Sequence, residues 1–221
     1  SFIGISLGVA VLIIVMSVMN GFRTELINKI VGFNPHITVK PYESKYINPA
    51  RFNSPELNSI SKNLISSNTS EAIVINNNNS KGIILRGYKS DDFSKLSVIN
   101  NKNFLGNKIN LKNNNISIGK ELSFILDVKI GDNISLMAAS GIDTIIGSLP
   151  KQKVFKVVSL FESGLVDFDT NIVFMNLDTL EEFSNLKNSD RNLEIYLKNP
   201  QNIEKQQVIV QKVFPDEFIY S

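Results

Sequence analysis

Two acidic doublets, one histidine and scattered lysines are the side chains from which reactive chemistry would have to be assembled. The doublets are Asp91-Asp92 and Glu181-Glu182. Neighbouring residues on a strand or helix project in different directions, so neither doublet makes a shared acid/base site. Both read as solvated or helix-capping charges. His36 is the only histidine, which excludes a His-based metal cluster and a Ser-His-Asp triad. As a lone histidine in a strand it reads as structural. There is no cysteine, hence no thiolate nucleophile, disulfide framework or Cys-based zinc site. No Walker A loop is present, so the chain does not hydrolyse ATP by that route. The net charge is +2, with Lys and Asp/Glu interspersed rather than gathered into the basic face of a nucleic-acid binder. The expectation is a chain with no catalytic residues, no cofactor and no metal, and so not itself an enzyme.

The elements carry more information than any reactive group. Phe2 to Met19 is uncharged and apolar. Extended through Phe22 as a helix, at about 1.5 Å per residue, it comes close to the roughly 30 Å hydrocarbon layer of a bilayer. A signal peptide would have a basic start, a shorter apolar core and a small-residue cleavage site. A buried helix of a soluble protein is the other competing reading. Gly4 and Gly8 stand four apart, a spacing that lets two membrane helices approach closely. Beyond the apolar run, Phe22, Leu26 and Ile30 recur every four residues with Arg23, Glu25 and Lys29 between them, so the helix continues as an amphipathic stalk. Gly32 is placed as its C-terminal cap, and Asn34-Pro35 stops it.

The remainder predicts an α+β domain. Expected elements are a strand at 36–40, a helix at 56–65, and strands at 71–75 and 81–88 around an Asn-rich turn. A strand and helix follow within 116–126, then a Gly131-Asp132 turn into a strand at 133–137 and another at 153–161. A strand at 171–176 leads to a helix through Ser184, capped by Asp178 with Glu181 three residues later. A strand at 193–197, a helix at 202–214 and a strand at 217–220 complete the chain. Residues 138–152 are long for a hairpin connection. Their Ile145-Ile146 pair with Leu149-Pro150 reads either as an exposed apolar patch that meets a partner or as a flexible hairpin tip.

Two stretches resemble one family. The first runs from Ile3 to Gly32 and contains Ser17-Val18-Met19-Asn20-Gly21-Phe22, Glu25-Leu26 and Ile30-Val31-Gly32. The second runs from Thr144 to Phe183 and contains Gly147-Ser148-Leu149-Pro150, Phe155-Lys156-Val157, Phe161-Glu162-Ser163-Gly164 and Asp167-Phe168-Asp169. With Gly119-Lys120-Glu121-Leu122 and Gly131-Asp132, these resemble the permeases of bacterial lipoprotein-releasing ABC transporters (LolC/LolE type, within the MacB/FtsX-like superfamily).

That resemblance implies an N-terminal transmembrane helix and stalk (1–33) in the bacterial inner membrane, followed by a MacB-like domain facing the periplasm. It implies an α+β "porter" part (34–112 and 171–221) and an inserted β-rich "sabre" part (113–170). The chain would be a fragment ending before a second transmembrane helix. Implied partners are a second permease subunit of the same or a related chain, separate ATPase subunits, a periplasmic lipoprotein carrier, lipoprotein substrates and membrane lipid, with no nucleic acid. In LolC-type subunits a hook hairpin recruits the carrier. It maps here onto 139–150, through Ile142, Thr144, Ile145, Ile146, Gly147, Leu149 and Pro150, with an adjoining pad at Lys151, Gln152 and Lys153. Lys153 keeps the family's basic residue, whereas Ile145 stands where many members have Pro. Met16, Met19 and Phe22 map onto the lipid-facing surface. A MacB-like permease for efflux or signalling, carrying no lipoprotein, is the alternative.

Overall fold

In the computed structural model the apolar N-terminus and its amphipathic continuation form one helix, α1 (Phe2–Phe33). The structure describes residues 2–42, 46–77, 79–100, 102–107, 111–144 and 147–221, with backbone alone for 24–32, 140, 142–144, 147–148 and 201. The apolar stretch Phe2–Arg23 has a mean hydropathy of 2.7 and none of its apolar window is covered by the rest of the molecule. Inward burial therefore does not explain this apolar composition, and the helix is long and apolar enough to cross a membrane. It ends at Phe33, one residue past the expected Gly32 cap. Asn34 precedes Pro35, a position that disfavours helical backbone.

The strands are β1 (Ile37–Lys40), β2 (Ser61–Asn76), β3 (Asn79–Tyr88), β4 (Leu105–Gly106), β5 (Asn115–Gly119), β6 (Asn133–Thr144), β7 (Gly147–Phe161), β8 (Ile172–Asn176), β9 (Asn192–Leu197) and β10 (Phe218–Tyr220). Six of them close on themselves. β2 pairs β3, β3 pairs β8, β8 pairs β5, β5 pairs β7, β7 pairs β6, and β6 returns to β2 through Ala72↔Ala138 to Ile75↔Ser135. The result is a small closed barrel, which removes the edges an open sheet would expose along these pairings. Inward positions alternate as strand geometry requires: Ala72 and Val74, Ile83 and Leu85, Ile134, Leu136 and Ala138. Helices α4 (Lys120–Leu126) and α6 (Leu177–Ser184) add Leu122, Leu126, Leu180 and Phe183 to this core.

β2 belongs to two structures. Its second half is a barrel stave, while its first half, Ser61 to Ser67, pairs with β9, which continues through β1 to β10. Helices α2 (Pro55–Ile60) and α7 (Ile203–Val213) pack with this outer sheet through Leu57, Val210 and Phe214. A third cluster, rich in aromatics, gathers Phe33, Tyr88, Phe93, Phe161 and Phe174. Two further short helices are α3 (Ser90–Phe93) and α5 (Val166–Asn171).

Three expectations are corrected. The helix expected at 56–65 stops at Ile60, and β2 begins at Ser61. Leu64 and Ile65 pack into different clusters, a strand's alternation rather than one helix face. The cap of α6 is Asn176, not Asp178: Asn176 Oδ1 accepts the Asp178 and Thr179 N–H groups at 3.0 and 3.3 Å. Glu181 is not a solvated or capping charge but a buried ion-pair partner. The Asn-rich turn behaves as expected: Asn76 faces Asn79, and Asn77 takes the left-handed conformation that Asn tolerates.

Candidate functional site

Residues 138–152 are largely strand. β6 and β7 continue beyond the barrel as a two-stranded ribbon, pairing Gly141↔Pro150, Ile142↔Leu149, Asp143↔Ser148 and Thr144↔Gly147. Between Met137↔Gln152 and Gly141↔Pro150 the register shifts, so β6 spends more residues than β7 across this stretch. Such a bulge bends a ribbon, and it falls on the small residues Ala138, Ala139, Ser140 and Gly141. Of the expected hook residues, Ile142, Thr144 and Gly147 lie on the ribbon's backbone, and their side chains are outside the described set. Ile145 and Ile146 lie outside the described residues. Leu149 is 53% exposed, and Pro150 beside it is exposed too.

The expected pad residues sit where the ribbon leaves the barrel. Lys151 Nζ donates to the Glu182 carbonyl in α6 at 2.7 Å. Gln152 Nε2 donates across the ribbon to Ser135 Oγ at 2.7 Å. Lys153 Nζ stands 5.9 Å over the Phe155 ring. Hydrogen bonds thus hold the root of the ribbon at Lys151 and Gln152. Met16, Met19 and Phe22 are each more than half exposed along α1.

The motif residues around 161–169 turn out to brace the fold. Asp169 is buried; its Oδ1 accepts Ser163 N–H at 2.8 Å and its Oδ2 accepts Gly164 N–H at 3.3 Å. Burial raises its pKa, and these hydrogen bonds oppose the rise. A side chain at Gly119 would collide with the Asp169 backbone, so this glycine is needed for close approach.

Sequence reasoning missed a second constellation. Glu194 is 3% exposed and receives Ser67 Oγ at 2.7 Å, Tyr88 OH at 3.0 Å to both carboxylate oxygens and Tyr196 OH at 3.0 Å. Arg86 Nη2 lies 3.6 Å from Glu194 Oε1. Arg86 Nη1 donates to Asn34 Oδ1 at 3.3 Å, and its guanidinium carbon lies 5.6 Å from the Phe33 ring centre. Burial and the neighbouring negative charge raise the pKa of both tyrosines, keeping them protonated donors. Burial disfavours the charged form of Arg86, but the adjoining tyrosines and Glu194 outweigh it and hold the cation. The signal was present as two charged residues inside apolar strands, each two places before a tyrosine: Arg86-Gly87-Tyr88 and Glu194-Ile195-Tyr196. A second network joins Arg191 Nε and Nη2 to Glu181 at 2.6 and 2.7 Å, with Asn68 donating to the same carboxylate. Among the described residues no cluster of His, Cys, Asp or Glu is arranged to hold a metal ion.

The family model described as "MacB-like periplasmic core domain" matches residues 1–212. The chain is similar to the lipoprotein-releasing system transmembrane protein LolC of Xylella fastidiosa, 28% identical over 189 residues, covering 82% of this chain and 45% of that protein. It is similar to LolC of Buchnera aphidicola, 29% identical over 212 residues, covering 94% and 52%. The chain therefore spans about half the length of the curated relatives it matches. Among solved structures, the periplasmic region of MacB from Actinobacillus actinomycetemcomitans aligns with a TM-score of 0.47 at 11% identity, over 89% of this chain and 94% of that one.

Proposed function

Since this chain belongs to the family of MacB-like periplasmic core domains, we propose that it is part of a permease subunit of a lipoprotein-releasing ABC transporter, and that its ribbon recruits the periplasmic carrier. The relatives named as lipoprotein-releasing proteins support the substrate class. The observation that carries the reading is the ribbon itself: a stiffly rooted β-arm extending past a closed barrel, with Leu149 and Pro150 exposed. A soluble barrel gains nothing from an apolar projection, whereas an apolar projection on a fixed root suits a hydrophobic opening in a partner. Ile142, Thr144, Ile145, Ile146, Gly147, Leu149 and Pro150 form the contact. Lys151 and Lys153 give the root a positive rim that steers encounter with an acidic surface.

In this reading α1 anchors the chain in the bacterial inner membrane, with Met16, Met19 and Phe22 toward lipid or substrate acyl chains. The domain faces the periplasm, a second permease pairs with this one, and separate ATPase subunits hydrolyse ATP. The porter-like and sabre-like division is part of the same proposal: segment 113–170 supplies the staves β5, β6 and β7 together with the arm.

The test is binding of the purified chain, in lipid nanodiscs, to the lipoprotein carrier of the same organism. The variant has residues 140–150 replaced by a short Gly-Ser turn. The expected result is at least about a tenfold loss of affinity, roughly 1.4 kcal/mol, with the circular dichroism of the barrel unchanged. Equal binding by parent and variant overturns the arm's role. No binding by the folded parent favours the MacB-like efflux or signalling permease.

A further inference from the structure

We propose that Arg86 and Glu194 are positioning residues that fix the direction of α1 relative to the barrel. The last residue of α1, Phe33, is buried with its ring 4.5 Å from Phe168, 6.2 Å from Phe174 and 6.4 Å from Phe161. Such an aromatic socket holds the helix end but constrains its angle weakly, because apolar contact is non-directional. Hydrogen bonds and ion pairs are directional. Arg86 spans the two: one nitrogen reaches Asn34 just beyond the helix, and the other lies beside Glu194, with the guanidinium near the Phe33 ring. Glu194 is in turn oriented by three hydroxyl donors.

The donors and acceptors come from different strands. Arg86 and Tyr88 stand on β3, Ser67 on β2, and Glu194 and Tyr196 on β9. The helix end is thus tied to both staves that begin the barrel, and one of them, β2, pairs directly with β6 at the root of the ribbon. A cation also sits favourably beside the carbonyl end of a helix. A buried ion pair is often no more stabilising than apolar residues of the same volume. Its contribution here is geometric: it selects one helix angle among those the socket allows.

The inference rests on the reading of α1 as the membrane anchor, but its test needs neither carrier nor transport. The chain has no cysteine, so labels are placed uniquely. Spin labels go at Arg23→Cys on α1 and Lys205→Cys on α7, both exposed positions. The distance distribution is measured by pulsed electron resonance in nanodiscs for the parent and for Arg86→Lys, Asn34→Ala and Glu194→Gln. Arg86→Lys keeps the charge but cannot bridge both partners, and Asn34→Ala leaves the Glu194 network whole.

The parent is expected to give one narrow distribution, and Arg86→Lys and Asn34→Ala each a distribution at least twofold wider. Glu194→Gln, which keeps an acceptor, is expected to fall between. A purely structural role lowers the unfolding temperature without widening the distribution below it. Parent-like widths in both Arg86→Lys and Asn34→Ala, with near-ultraviolet circular dichroism intact, overturn the proposal. If carrier binding fails while the widths change as expected, the joint stands and the recruitment reading falls.

Discussion

His36 Nδ1 accepts the Leu197 N–H at 2.9 Å, a bond available only to the unprotonated nitrogen. Burial lowers the pKa of this side chain. The folded state therefore disfavours the charged form, and the unfolded state binds more protons as the pH falls. The stability this group contributes is fully present above its unfolded pKa of about 6.5 and is lost as pH falls through the folded value. Thermal unfolding followed between about pH 7 and pH 5 is expected to show a steeper loss of melting temperature in the parent than in His36→Asn, which keeps an acceptor and does not titrate. Identical slopes would refute this assignment. The structural role of His36 was legible because it is the sole histidine, although it sits one residue before β1 rather than in the expected strand at 36–40. Glu181 was not legible: its partner Arg191 lies beyond a turn, and only folding brings the two together. Arg86 and Glu194 stand more than a hundred positions apart in the sequence, so their pairing had no local trace either.

At the scale of elements, α1 and the β6–β7 ribbon are the parts that extend beyond packed cores. The apolar run of α1 was readable from composition, and its exposure in the structure is what separates it from the buried helix of a soluble protein. Leu12 and Val15 lie on its exposed surface near the middle of the apolar stretch. Lysine at both positions opposes insertion by on the order of 6 kcal/mol, about 3 kcal/mol each. Leu12→Lys with Val15→Lys is expected to shift the chain from the carbonate-resistant membrane pellet to the soluble fraction; full retention in the pellet would sink the anchor reading. The ribbon was only half legible. Strands at 133–137 and 153–161 were visible because barrel burial enforces alternation there, whereas residues 138–144, Ala-Ala-Ser-Gly-Ile-Asp-Thr, carry no alternating apolar pattern in the sequence. Helix 56–65 failed for the complementary reason: a capped turn and the first residues of a long strand together mimic helical spacing.

For the molecule as a whole, the α+β class was legible, but closure of the barrel was not. Closure depends on β2 meeting β6 and on parallel pairings of β3 with β8 and β5 with β7, none of them adjacent in the chain. The third hydrophobic cluster also crosses a boundary that the sequence suggested at residue 33. Phe33 belongs to the domain's core as much as to the helix. A soluble form cut to begin at residue 34 would leave its socket empty, a loss of about 3 kcal/mol or more on the scale of Phe-to-Ala core changes. Urea denaturation is expected to show a lower midpoint for residues 34–221 than for 24–221. Coincident midpoints would show that the socket closes without its ring.

The order of the strands also sets a timetable. β1 at Ile37–Lys40 finds its neighbours in β9 (Asn192–Leu197) and β10 (Phe218–Tyr220), at the far end of the sequence, and β2 obtains its last barrel neighbour only when β6 has emerged. At roughly 5–20 residues per second of synthesis, β1 waits roughly 8–30 s before either of its edges is satisfied. Because β1 is made early and its partners β9 and β10 late, the nascent domain passes through an interval with open strand edges that the finished sheet covers.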